Sequence, residues 1–182
     1  MLKLSDNPPV LSPSATTLAD LKGTWWVAHT KSRFEKAFAR DLLRREIGYF
    51  LPMIQRVTFS GGRKRRGMAP LFPSYVFFCG HDNDRRAALT TNRLCQTIDV
   101  PDQQALIAEL SALERALAGE APLDPYPFAA VGERCRVKAG PFLGLEGLVI
   151  RRSRHTQIVL SVSILAQAVA REIDAGLLEP LD

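Results

Sequence analysis

The 182-residue chain is 46% hydrophobic and 24% charged, an ordinary globular composition with apolar content for one medium domain or two small ones. Its net charge of +5 is uneven: residues 22–100 hold fifteen Lys/Arg against six Asp/Glu, residues 101–129 one against five, and residues 130–182 seven against six. No run approaches the ~18 consecutive apolar residues of a membrane span, and three cysteines (Cys79, Cys95, Cys135) without C-x-x-C spacing argue against a disulfide framework or a zinc site and fit a reducing, cytoplasmic setting.

Residues 1–21 are rich in Pro, Ser and Thr and lack an apolar signal core, so they read as a disordered leader. Thr24–Thr30 is aromatic and β-prone, a first strand. Ser32 with Glu35 three residues later has the form of a capping box. Phe34, Ala37, Phe38, Leu42, Leu43 and Ile47 then recur at helical spacing as far as Gly48, the expected stop. Tyr49–Leu51 and Met53–Phe59 read as extended. Ser60-Gly61-Gly62 is a turn signal, which puts Arg63, Lys64, Arg65 and Arg66 on or just past a hairpin tip. Ser74–Cys79 is a strand, Arg85–Thr91 a second helix opened by Asp82 and Asp84, and Leu94–Asp99 a further strand. Pro101 and Asp102 start a third helix with Leu106, Ile107, Leu110, Leu113 and Leu117 on one face and Gly119 as its stop.

Three prolines in Glu120–Pro127 mark a semi-rigid linker. The expected organisation is therefore a leader (1–21), a first domain (22–119), a linker (120–129) and a second domain (130–182). Short strands fill the second domain: Glu133–Ala139, Leu145–Arg151, Gln157–Ser163 and Ala168–Ile173. Ser161–Leu178 can also be scored helical from its Ala, Leu, Gln and Glu content. The period-two alternation of Ile158, Leu160, Val162 and Ile164 favours strands, and fifty residues of short strands suggest a small barrel.

Two clusters stand out as binding chemistry. The basic run Arg63–Arg66 suits phosphate through counterion release, or it is a solvated hairpin tip. The aromatic block Phe72, Tyr75, Phe77 and Phe78 is either core or, on one face of its strand, a partner site built on good interface anchors. The glycines at 140, 144 and 147 suit tight turns of a barrel better than a phosphate loop, since no Gly-Lys-Ser/Thr follows. His29, His81 and His155 have no acid, cysteine or metal-ligand spacing around them. The expectation is a non-enzyme with no cofactor and no metal.

Taken together, these residues resemble the NusG family of transcription elongation factors over about residues 24–182. Trp25-Trp26 matches the family's opening strand, and Lys31 with Glu35 its first helix. Leu71-Phe72-Pro73-Ser74-Tyr75-Val76 matches its Leu/Phe-Phe-Pro-Gly-Tyr-Val signature. Gly132, Val137, Gly140-Pro141-Phe142, Gly144 and Gly147 fall at the spacing of its KOW domain. The resemblance implies an α+β fold, an antiparallel sheet with flanking helices followed by an SH3-like five-stranded barrel. It implies that a monomer grips the clamp helices of RNA polymerase through Phe72, Pro73 and Tyr75, with Phe77 and Trp25 as further candidates, and suppresses pausing or termination. The basic run Arg63, Lys64, Arg65 and Arg66 would then lie near upstream or non-template DNA. Phe142, Ile164 and Leu165 of the KOW domain would take a second partner, termination factor Rho or a small-subunit ribosomal protein. Ser74 in place of the usual glycine, with the runs 51–54 and 69–73, looks closer to specialised RfaH-like paralogues. Their polymerase contact on the other clamp jaw falls here at Arg85-Arg86-Ala87. The alternative is a ribosome-associated RNA-binding protein, because KOW barrels also occur in ribosomal proteins.

Overall fold

The computed structural model describes residues 7–12, 15–60, 62–119, 123–126, 132–152 and 155–181. By its contacts the chain divides into two compact units, Met1–Gln103 and Gln104–Asp182. In the first unit the elements run β1 (Thr24–Thr30), α1 (Glu35–Arg44), β2 (Gly48–Phe50), β3 (Met53–Ser60), β4 (Arg63–Pro70), β5 (Tyr75–Gly80), α2 (Asp82–Leu89) and β6 (Leu94–Asp99). An antiparallel sheet forms in the order β2-β5-β1-β6, while β3 and β4, among the described residues, pair only with each other as a two-stranded ribbon.

Alternation along the strands creates two buried faces. Trp26, Ala28, Val76, Phe78 and Tyr49 form one core cluster with Phe38, Ala39 and Leu42 of α1 and Ala88 of α2. Phe78 sits at its centre, 5.5 Å from the Trp26 ring and edge-on to Phe38 at 6.0 Å. The pairings Trp25↔Cys79, Val27↔Phe77 and His29↔Tyr75 define the opposite face.

Several local expectations are corrected. In place of a disordered leader, residues 10–12 lie along β2: Leu11 bridges Phe50, the Ser12 N–H donates to the Tyr49 carbonyl, and the Leu51 N–H donates to the Val10 carbonyl. Leu18 is buried as well. Val10 and Leu11 have partners far along the chain, which composition does not reveal. Ser32 and Glu35 form no capping box, because Arg33 takes a positive φ of 66° and α1 begins only at Glu35. At the other end Glu46 (φ 57°) takes the left-handed position that closes the helix, and Gly48 opens β2 instead.

The second unit holds all but the first residue of α3 (Gln103–Leu117), followed by β7 (Asp124–Tyr126), β8 (Glu133–Val137), β9 (Glu146–Arg152), β10 (His155–Val162), β11 (Gln167–Ile173) and β12 (Leu178–Pro180). Leu106, Leu110 and Leu113 of α3 are buried, as their spacing requires. The strands form one sheet in the order β12-β8-β9-β10-β11-β7. It has six strands where five were expected, because β7 forms inside the Pro-rich segment read as linker. Its Pro125 pairs with Val169 at the sheet edge, a place where a missing N–H is tolerated. Ser161–Leu178 holds the end of β10, a 3-10 turn at Ser163–Leu165, β11, a second 3-10 turn at Ala175–Leu177 and the start of β12, with no α-helix.

Candidate partner and nucleic-acid surfaces

The aromatic face of the first unit is assembled by strand register. Trp25 and Phe77 share it with Tyr75 and with Phe50, which pairs with Phe77. Phe72 meets Phe77 edge-on, with ring centroids 6.3 Å apart. Four of the five predicted polymerase-contact residues are thus brought together, yet most are inaccessible: Trp25, Phe72 and Phe77 are 1%, 2% and 0% exposed. The accessible part is the turn entering β5, where Pro73 is exposed and Tyr75 half-buried. Tyr75 stacks on His29 at 5.1 Å, with an interplanar angle of 22°. His29 was assigned no role from the sequence, where nothing but its register opposite Tyr75 on the neighbouring strand would have flagged it.

The turn itself is held by Ser74, whose φ of 68° lies in the left-handed region. Its N–H donates to the buried Glu35 carboxylate at 2.7 Å, and its carbonyl accepts from the Thr30 N–H at 2.8 Å. Glu35 therefore clamps the signature turn from α1, a role hidden at the sequence level by its three-residue spacing from Ser32. Because a side chain costs about 1–2 kcal/mol in this conformation, and glycine returns part of that as unfolded-state entropy, Ser74→Gly should raise stability by about 0.5–1 kcal/mol. Urea denaturation checks this, and a lowered midpoint would contradict the strain argument.

The segment Arg85-Arg86-Ala87 splits by environment. Arg85 turns inward, donating to Thr97 Oγ1 at 3.3 Å, pairing with Asp99 at 3.2 Å and lying 5.8 Å over the Trp26 ring. Arg86 is exposed.

The basic run lies on β4, immediately past the tip, with pairs Ser60↔Arg63, Phe59↔Lys64, Thr58↔Arg65 and Val57↔Arg66. Lys64 and Arg66 are exposed, while the side chains of Arg63 and Arg65 lie outside the described residues. Arg56 on β3 is a further exposed cation that the sequence reading left out. The ribbon is anchored at its base, where the Leu71 N–H donates to the Pro52 carbonyl and Lys36 Nζ donates to the Met68 carbonyl.

In the second unit Phe142 is half-buried and stacks under Arg171, whose guanidinium carbon lies 4.2 Å from the ring centre. Arg171 is 2% exposed and donates to the Ala116 carbonyl at the end of α3. Burial pulls its pKa below the usual guanidinium value. Leu165 is buried and Ile164 half-buried, whereas Leu143, absent from the predicted set, is 63% exposed. Ser163 receives Glu109 of α3, its N–H donating to the carboxylate at 3.1 Å. Among the described residues no group of His, Cys, Asp and Glu could hold a metal ion, and no helix is long and apolar enough to cross a membrane.

Comparison with known proteins gives concordant matches. The family model for transcription termination factor NusG matches residues 23–109, and the KOW motif matches residues 131–161. The transcription termination/antitermination protein NusG of Vibrio vulnificus is 31% identical over 182 residues, covering 88% of this chain and 97% of the relative. That of Pseudomonas aeruginosa is 29% identical over 172 residues, covering 85% and 97%. The solved NusG of Thermotoga maritima, 15% identical, shares the fold at a TM-score of 0.50 over 88% of this chain and 98% of its own.

Proposed function

The chain belongs to the NusG family of transcription termination and antitermination proteins, and on that premise we propose that it is an elongation factor that binds RNA polymerase at the clamp helices and suppresses pausing or termination. The observation that carries this reading is the Leu71–Tyr75 turn. A conformation unusual for serine, fastened by Glu35, leaves Pro73 exposed and Tyr75 half-buried on a floor of Phe72, Phe77 and Trp25. Rigid aromatic and proline contacts on a buried floor are the arrangement of an interface anchor, where truncation of one residue removes about 2 kcal/mol or more of binding energy. The factor makes and breaks no bond, so its effect is differential affinity for the elongating polymerase.

Around that anchor, the ribbon of β3 and β4 contacts the DNA of the transcription complex, and the KOW unit recruits a second protein. Phe142 and Leu165 support the second surface from below, and Leu143 with Ile164 supplies its accessible part. Operon-specific action of the RfaH type is the reading favoured by Ser74.

The test is recovery of RNA polymerase by the wild-type chain and by Pro73→Ala/Tyr75→Ala. These positions are chosen over Phe72 because replacing a buried ring would unfold the unit. Recovery should fall by about 30-fold, the equivalent of about 2 kcal/mol, with an unchanged thermal midpoint. Equal recovery would refute the polymerase site.

A further inference from the structure

The ribbon carries charge on both of its faces. Directly paired residues of an antiparallel ladder lie on the same side. Gln55↔Met68, Val57↔Arg66 and Phe59↔Lys64 therefore define one face, and Arg56↔Gly67, Thr58↔Arg65 and Ser60↔Arg63 the other. Lys64 and Arg66 are exposed on the first face and Arg56 on the second, where the register also places residues 63 and 65. From Met53 to Pro70 there are five basic residues and no acidic one. Among the described residues the ribbon pairs with no other strand, and Arg56, Lys64 and Arg66 give it an accessible cation on each face. Its tip is slim: Gly62 takes a φ of 72°, and a Cβ built there meets nothing within 4 Å.

We infer that this ribbon inserts into the major groove of duplex DNA, with its two basic faces set against the two phosphate walls. Resting on the reading that the ribbon contacts nucleic acid, it specifies which form is bound and how. A single strand presents one line of phosphates and is met by cations on one face. A duplex groove has a wall on each side, and charge on both faces of a thin ribbon answers that geometry. The B-form major groove, about 12 Å wide, admits a two-stranded ribbon, whereas the deep, narrow major groove of A-form RNA does not. Eight paired positions at about 3.4 Å each give a ribbon of about 27 Å, long enough to bring Arg56 and the tip-proximal cations into one groove together. Val57, 45% exposed and paired with Arg66, adds an apolar contact of the kind made with a thymine methyl.

The experiment is anisotropy titration of the full chain against a fluorescent mixed-sequence DNA duplex, one of its strands alone, and the matching RNA duplex, across about 50–200 mM salt. Duplex DNA should bind at least about 10-fold more tightly than the other two. Arg56→Ala should lower the slope of log affinity against log salt by about one, and Lys64→Ala/Arg66→Ala by about two. The wild type, and not Arg56→Ala, should protect guanine N7, a major-groove atom, from dimethyl sulfate. Equal single-strand affinity, unprotected guanine N7, or a wild-type slope in Arg56→Ala would overturn the two-walled insertion while leaving nucleic-acid contact intact. Absence of any salt-dependent binding would overturn both.

Discussion

Phe78→Ala should destabilise the first unit by about 3–5 kcal/mol, the range for emptying a buried aromatic site. Phe78 is 0% exposed. It contacts Trp26 of β1 and Phe38 of α1, so its loss removes one of the contacts by which α1 seats on the sheet. The backbone of β5 is fixed by ladders on both sides, to β1 and to β2, and cannot collapse to fill the gap. Set against the ~5–15 kcal/mol that holds a typical domain folded, such a loss leaves little margin. Denaturant titration of the full chain reads it directly. A change below about 1 kcal/mol would mean that the cluster closes around the cavity, contrary to the packing argument.

The second large effect is alkaline. Burial pushes the Tyr49 hydroxyl from 10.0 up to about 12, and burial reinforced by the Asp84 charge pushes the Cys79 thiol from 9.0 up to about 12. Both groups are neutral when protonated, so the folded state holds them in the uncharged form. Their contribution to stability is complete below about pH 9 and is lost as pH rises toward 12. The loss begins with Cys79 and is joined by Tyr49 from pH 10. Each group contributes a slope of about 1 kcal/mol per pH unit while it titrates in the unfolded chain alone. Ionisation of Tyr49 also removes its donation to the Pro9 carbonyl at 3.1 Å. Unfolding free energies measured between pH 8 and pH 11 under reducing conditions should fall along this course. Tyr49→Phe should lower the slope above pH 10 only, whereas Cys79→Ala should lower it from pH 9 upward and leave the interval from 9 to 10 flat. Parallel profiles in all three proteins would refute it.

Periodicity carried much of the fold. The strand at Leu94–Asp99 was read with its observed limits, and α3 followed from five apolar residues on one face, of which Leu106, Leu110 and Leu113 are buried. Ile158, Leu160 and Val162 alternated as a strand should and are buried, whereas Ile164, the fourth of that set, falls in the 3-10 turn and is half-buried. What composition missed are features whose partners lie far along the chain. Val10 and Leu11 look like leader until Phe50 and Leu51 are brought beside them. Pro125 looks like linker until Val169 offers it an edge.

The candidate sites divide in the same way. The aromatic set was legible from the family signature and from strand alternation, but its accessibility was not, because exposure is a property of what covers a face. Phe77 and Tyr75 lie on one side of one strand, yet one is buried and the other reachable. Phe142 was read as a contact residue. In the structure it supports a buried arginine, and its neighbour Leu143 takes the exposed place.

The N-terminal segment along β2 has a consequence for how this chain can be handled. The sheet order leaves β2 at an edge, and an uncovered edge strand is a template for pairing between molecules. Val10, Leu11 and Ser12 occupy that template, taking the Leu51 N–H and the Tyr49 carbonyl out of reach of a second chain. Trimming at residue 21, the cut that composition recommends, would strip this cover while leaving every core side chain of β2 in place. The resulting fragment would also lose the buried Leu18 and the Pro9 carbonyl that accepts from Tyr49, and it would gain an adhesive border, so its solubility would become a function of its own concentration.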